Sequence, residues 1–236
     1  FARNNSGVTL HEVGMCGAGL PRNVSSSDDD SSGNILVGAS PDGLLCYPNG
    51  DVEVVEVKNH CPYSYVISDR RGKNNSNNNN KKRNKQKRYR VRDFVFDDAD
   101  GEAPLVQIQY VSQLMMEMLC VGENCRSAIM VRQTARNGAR ILRVKRDDDW
   151  IEEMMYWLDR FQTEYVERGT PPPPNFFFRS DDDNNVSGAA KDRYLRFLEL
   201  TKKVAVSNVE LLVDLPNSEI QRAAGARPGN TPLFLG

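Results

Sequence analysis

Two short apolar runs, residues 44–47 and 52–58, flank the tetrapeptide Pro48-Asn49-Gly50-Asp51. Asn-Gly between such runs is the strongest short-range hairpin signal, because both residues accept the backbone angles that a tight turn needs. Two strands are therefore expected side by side, joined by a turn centred on Asn49-Gly50. The pattern repeats at residues 127–134 and 139–145, two β-branched-rich runs joined by Arg136-Asn137-Gly138. Between the hairpins, residues 105–121 are dense in Leu, Met and Val, and Gly122 supplies a C-terminal stop, which predicts a helix. Asp149 offers an N-cap to a further helix running to about Glu167, with Ile151, Met154, Met155, Leu158, Phe161 and Tyr165 recurring at helical spacing. Hairpin, helix, hairpin, helix predicts an α/β unit whose mixed β-sheet is flanked by helices. A last amphipathic helix is expected over residues 189–204, followed by a polar tail.

The chain has 236 residues, 39% of them apolar and 27% charged, enough for one sizeable domain with polar appendages. Three segments lack the apolar content to offset chain entropy and read as loops or linkers. They are the Ser/Asp run at 25–33, the Asn-rich then basic tract at 73–92, and the Pro/Asp/Asn-rich stretch at 170–185. A core at residues 1–169, a linker at 170–187 and a C-terminal helical extension at 188–236 are expected. No apolar run reaches the roughly 18 residues that a membrane span needs, so no membrane partner is expected. Five scattered cysteines, odd in number, with no second pair at zinc-ribbon spacing, predict free thiols in a reducing intracellular compartment. With two histidines in the whole chain, a His-based zinc site or a Ser-His-Asp triad is disfavoured.

Chemistry concentrates on the first hairpin. Residues two apart on a strand share a face, so Glu56 and Lys58 point the same way, and the hairpin can bring Asp42 beside them. Two carboxylates, with the carbonyl of Val57 between, are hard oxygen ligands of the sort Mg²⁺ accepts while keeping several waters. Taken singly, Ser40-Pro41-Asp42-Gly43 is an ordinary turn, and Glu56-Val57-Lys58 is a common strand decoration. Their combination is what points to a site.

Asp42 followed by Glu56-Val57-Lys58 resembles the PD-(D/E)XK pattern of the restriction-endonuclease-like superfamily, including its Pro41-Asp42 start. The surroundings are similar to the YqaJ-type viral recombinase branch, the phage lambda-type alkaline exonucleases. Gly38-Ala39-Ser40-Pro41-Asp42-Gly43-Leu44 is similar to that branch's GxSPDGL signature. Glu56-Val57-Lys58, continuing to Cys61-Pro62-Tyr63, resembles its E-(I/V)-K-C-P, with Asn59-His60 inserted. Val106-Gln107-Ile108-Gln109-Tyr110 resembles its Q-x-Q helix. The resemblance covers about residues 9–166.

It implies a restriction-endonuclease-like core and a Mg²⁺-dependent deoxyribonuclease, with Mn²⁺ as a substitute, acting as an exonuclease on double-stranded DNA ends in recombination or repair. Asp42, Glu56 and the Val57 carbonyl would hold the metal, and Lys58 would serve the attacking water. Gln107 would sit near the active site, with Gln109 as second choice. On a helix these two lie about 200° apart, so only one could face the site. Ser40 and Gln109 would contact DNA, Tyr110 would serve as core or as a phosphate contact, and Arg90 and Arg92, which alternate as on a strand, are further DNA-contact candidates. An endonuclease of the same fold, or a catalytically weak DNA-binding module, are the competing readings. The family's further acidic residue on an upstream helix has no counterpart here. Glu12 is the nearest acid, and because the chain begins at Phe1 that helix is expected to precede it. Ring-shaped trimers occur in the family, which leaves a homo-oligomer open.

The basic residues between Lys81 and Arg92 suit DNA phosphates, a nuclear-import signal or a solvated loop. The Asn and Asp tracts suggest a eukaryotic microbe, leaving nucleus and organelle both open. Asp28–Asp30, Asp147–Asp149 and Asp181–Asp183 read as solvated loops or helix starts, and Met115, Met116 and Met118 as core filling.

Overall fold

The computed structural model describes residues 7–17, 20–21, 34–35, 37–60, 63–66, 88–91, 106–134, 138–178 and 188–220. In chain order the elements are β1 (Thr9–His11), β2 (Leu20–Pro21), β3 (Asn34–Ile35), β4 (Gly43–Cys46), β5 (Val52–His60), β6 (Tyr63–Val66), β7 (Arg88–Val91), α1 (Ile108–Val121), β8 (Cys125–Thr134), β9 (Ala139–Lys145), α2 (Asp148–Phe161), α3 (Gly188–Ser207) and β10 (Val209–Leu215). A mixed six-stranded sheet runs in the order β1-β4-β5-β8-β9-β10 and is flanked by helices. The antiparallel pairs β2–β3 and β6–β7 form separate two-stranded sheets.

The chain divides into two compact units, residues 1–57, 97–131 and 141–213 in the first and 58–96, 132–140 and 214–236 in the second. In the first, the core gathers Val54 on β5, Val111, Leu114, Met115 and Met118 on α1, Met130 on β8, Leu142 and Val144 on β9, Trp150 on α2, and Val204 and Ala205 on α3. The three helices pack against one another, and the Trp150 indole N–H donates to Thr201 Oγ1 at 2.8 Å inside that contact. In the second unit, Ser64 pairs with Arg90 in the β6–β7 register, and Arg140 meets Asp214 at 3.2 Å. Gly138 leaves the β8–β9 turn at φ +88°, and a Cβ there would lie 1.9 Å from the Leu215 carbonyl oxygen. Only glycine fits that position.

Several elements differ from expectation for identifiable reasons. The first turn is built on Tyr47-Pro48-Asn49-Gly50, with the Gly50 N–H bonded to the Tyr47 carbonyl at 3.0 Å. Pro48 and Asn49 are thus its central residues. Gly50 takes the positive φ (+88°) at the turn's exit, and Asn49 Oδ1 accepts from the Asp51 N–H at 3.1 Å. Helix α1 begins at Ile108, with Gln107 in extended conformation as its N-cap, rather than at residue 105. The second hairpin is longer than expected, because β8 starts at Cys125.

Asp147, not Asp149, caps α2. Its backbone is extended and its carboxylate accepts from the Trp150 N–H at 2.9 Å, the bond that defines an N-cap. Asp148 and Asp149 fall in the first turn, where negative charge favours the helix dipole. Asn208 also donates to Asp147 at 3.1 Å. Asp147→Ala is expected to lower stability by about 1–2 kcal/mol, read as a lower urea midpoint with unchanged slope.

Helix α2 runs directly into a π-helical turn at Gln162–Val166. Within the proline-rich stretch read as a linker, a 3₁₀ turn at Phe176–Phe178 buries Phe176 against Trp157 and Tyr165. The third helix extends to Ser207, and the expected polar tail contains β10, which lies next to β9 in the sheet. In the basic tract, residues 88–91 form β7. Among the described residues no helix is long and apolar enough to cross a membrane.

Candidate functional site

Strand β4 pairs antiparallel with β5, Gly43 opposite Val55 and Leu45 opposite Glu53. Continuing that register sets Asp42 opposite Glu56 and Pro41 opposite Val57. Proline has no N–H to give, so the ladder ends there. The Asp42 side chain takes over from the backbone: its Oδ2 accepts the Val57 N–H at 2.7 Å. A bond from a carboxylate to a backbone N–H is charge-assisted and holds the acid in place. The exposed Asp42 carboxylate is thereby fixed at the residue that separates Glu56 from Lys58 in the chain.

Glu56 is 4% exposed and shares a face of β5 with Val54, the face that α1 covers. A buried carboxylate needs hydrogen-bond donors, and α1 provides one. Gln113 Nε2 donates to Glu56 Oε1 at 2.7 Å and to Glu117 Oε1 at 2.8 Å. Glu117 is 2% exposed. The first unit thus brings together Asp42, Glu56, Val57, Gln113 and Glu117. Lys58 follows on β5, half-buried and two residues beyond Glu56, a spacing that puts both on one strand face.

The glutamine that reaches Glu56 is Gln113, one that sequence reading passed over. Gln107 instead accepts from Gln109 Nε2 at 3.1 Å. Their apposition is allowed because Gln107 precedes the helix, so the 200° helical offset does not apply to it. Gln109 and Ser40 are exposed, and Tyr110 packs on the core. Glu12, the nearest upstream acid, is exposed beyond β1. Arg90 lies on β7, while Arg92 and the Cys61-Pro62 continuation fall outside the described residues. One signal could have found Glu117 and Gln113: Glu117 is the only charge in the α1 sequence, set in Met115-Met116-Glu117-Met118, with Gln113 one turn before it.

The chain was compared with family models, with characterised proteins and with solved structures. It matches none of them. The functional reading therefore rests on its own residues and their geometry.

As a metal centre, the donor set of Asp42, Glu56 and the Val57 carbonyl is all oxygen, which fits Mg²⁺ or Mn²⁺ and disfavours soft metals. Among the described residues no three His, Cys, Asp or Glu side chains group as a metal cage. Two carboxylates with water filling the remaining positions is the arrangement a Mg²⁺ site usually has.

The opposite face of β5 carries a second polar cluster. Glu53 accepts from Arg143 Nε at 2.7 Å, from Ser127 Oγ at 2.5 Å and from the Tyr47 hydroxyl. It borders an open cleft of about 270 Å³ lined also by Asp51, Asn124 and Arg126. Burial raises the Glu53 pKa, but hydrogen bonds from Arg143, Ser127 and Tyr47 outweigh it and hold the carboxyl below its ordinary value. Burial, then the neighbouring Glu53, pushes the Tyr47 phenol up to about 12. Burial also lifts the Cys125 thiol to about 11, which leaves it protonated and inert near neutral pH. Cys16, Cys46, Cys120 and Cys125 are free thiols.

Proposed function

We propose that this chain is a Mg²⁺-dependent DNA nuclease with a restriction-endonuclease-like core, acting on double-stranded DNA ends. The observation that carries the reading is the bond from the Val57 N–H to the Asp42 carboxylate. It ties the acid of the Pro41-Asp42 turn to the strand segment Glu56-Val57-Lys58. The helix-borne amide on Glu56 supports it, because a metal-ligating carboxylate must be held in one orientation by its neighbours. Asp42, Glu56 and the Val57 carbonyl are the residues that would hold the cation. When bound there, the ion would neutralise phosphate charge and acidify a water. Lys58, a compact point charge with three donors, would hold that water or a non-bridging phosphate oxygen.

The test is incubation of the protein with linear duplex DNA, with Mg²⁺ and with chelator. Degradation that needs Mg²⁺ or Mn²⁺ is the expected result. Intact DNA at every concentration of either cation overturns the proposal. A closed circular duplex in parallel separates the exonuclease, which leaves it intact, from an endonuclease, which nicks it.

A further inference from the structure

We infer that Gln113 is a positioning residue that sets the metal affinity of Glu56, with Glu117 anchoring its amide from behind. The inference rests on the proposed metal-dependent reading and deepens it. Both N–H groups of one Nε2 are engaged, at 2.7 Å to Glu56 and 2.8 Å to Glu117. That double contact fixes which way the amide faces: turned over, its oxygen would confront two carboxylate oxygens. Glu117 lies one helical turn from Gln113, the spacing at which helix side chains meet.

The chain from Glu117 through Gln113 to Glu56 accounts for a charge placed in an otherwise uncharged helix. A carboxylate buried behind the sheet does not by itself stabilise the fold. Here it holds the donor that orients the buried Glu56 carboxylate. Glu56 Oε1 is thereby directed towards α1, so the orientation of the whole carboxylate is set before any cation arrives. Outer partners of this kind contribute about 10–100-fold to metal affinity.

The experiment is calorimetric titration of the full chain with Mn²⁺, without DNA, on the wild type, Gln113→Met and the double variant Gln113→Met with Glu117→Met. Methionine keeps length and volume without a donor, and the double variant leaves no stranded buried carboxylate on α1, so it is the one that keeps the fold if the single variant loses it. Thermal unfolding of each confirms that the proteins compared are folded. The expected result is Mn²⁺ binding by the wild type and a 10–100-fold weaker dissociation constant in the folded variants. Wild-type affinity in a folded variant overturns the positioning role while leaving the nuclease reading intact. Absence of Mn²⁺ binding in the wild type overturns both.

Discussion

Lys58→Ala is expected to slow Mg²⁺-dependent cleavage of duplex DNA by about 10²–10³-fold, the usual effect of removing one preorganised donor to a developing oxyanion. Mn²⁺ affinity should stay at the wild-type level, because an ammonium has no lone pair to give a cation. That split separates Lys58 from Glu56 and Asp42, whose replacement by the amide should weaken cation binding as well as cleavage. Lys58→Arg should not restore the rate, since a planar fork cannot replace a compact point charge on a strand. Single-turnover cleavage with saturating Mg²⁺ is the measurement. Equal rates for wild type and Lys58→Ala would remove Lys58 from the chemistry.

Arg143→Met is expected to destabilise the first unit by about 3 kcal/mol, the lower end of the ~3–5 kcal/mol seen when one partner of a buried ion pair is removed. The lower end applies because the Arg143 side chain keeps 27% of its exposure while Glu53 keeps 8%. The double variant with Glu53→Gln should recover much of the loss, because the stranded charge is then gone. The pair also sets a pH dependence. The folded Glu53 carboxyl sits below its ordinary 4.5, so its contribution to stability is complete above that value. It is lost as pH falls from there through the folded pKa. Urea midpoints taken from pH 6 downward should fall less steeply in Glu53→Gln than in the wild type, and parallel curves would contradict the assignment. At the alkaline end the sign reverses. The Tyr47 phenol stays protonated in the folded state up to about 12 against an ordinary 10.0, so stability is lost as pH rises between the two.

Sheet hairpins and amphipathic helices were legible because each is governed by local rules. Asn49-Gly50 and Gly138 dictate turns, and the spacing of Ile151, Met154 and Leu158 dictates a helix face. The N-cap of α2 could not be placed among three consecutive aspartates, since all three have suitable side chains and only the backbone angle at Asp147 decides. The π-helical turn at Gln162–Val166 and the burial of Phe176 depend on Trp157 and Tyr165 packing around them, contacts that a proline-rich local sequence does not announce. Strand β10 was hidden for a similar reason. Its residues Val209 to Leu215 alternate poorly, and they become a strand because β9 lies alongside.

Asp42, Glu56 and Lys58 stand on the same footing. Sequence alone determined that they lie on one hairpin, because a turn of known length and a strand period of two leave little freedom. It also determined that Asp42 and Glu56 offer oxygen atoms there, because the residue types say so. Only the tertiary structure decided that Asp42 spends one oxygen on the Val57 N–H, where Pro41 stops the ladder. Only the tertiary structure decided that the helix glutamine on Glu56 is Gln113 and that Glu117 stands behind it. The rise and rotation of α1 against β5 are set by core packing around Val54, Leu114 and Met118. A register fixed by packed volume cannot be read from the order of residues along one helix.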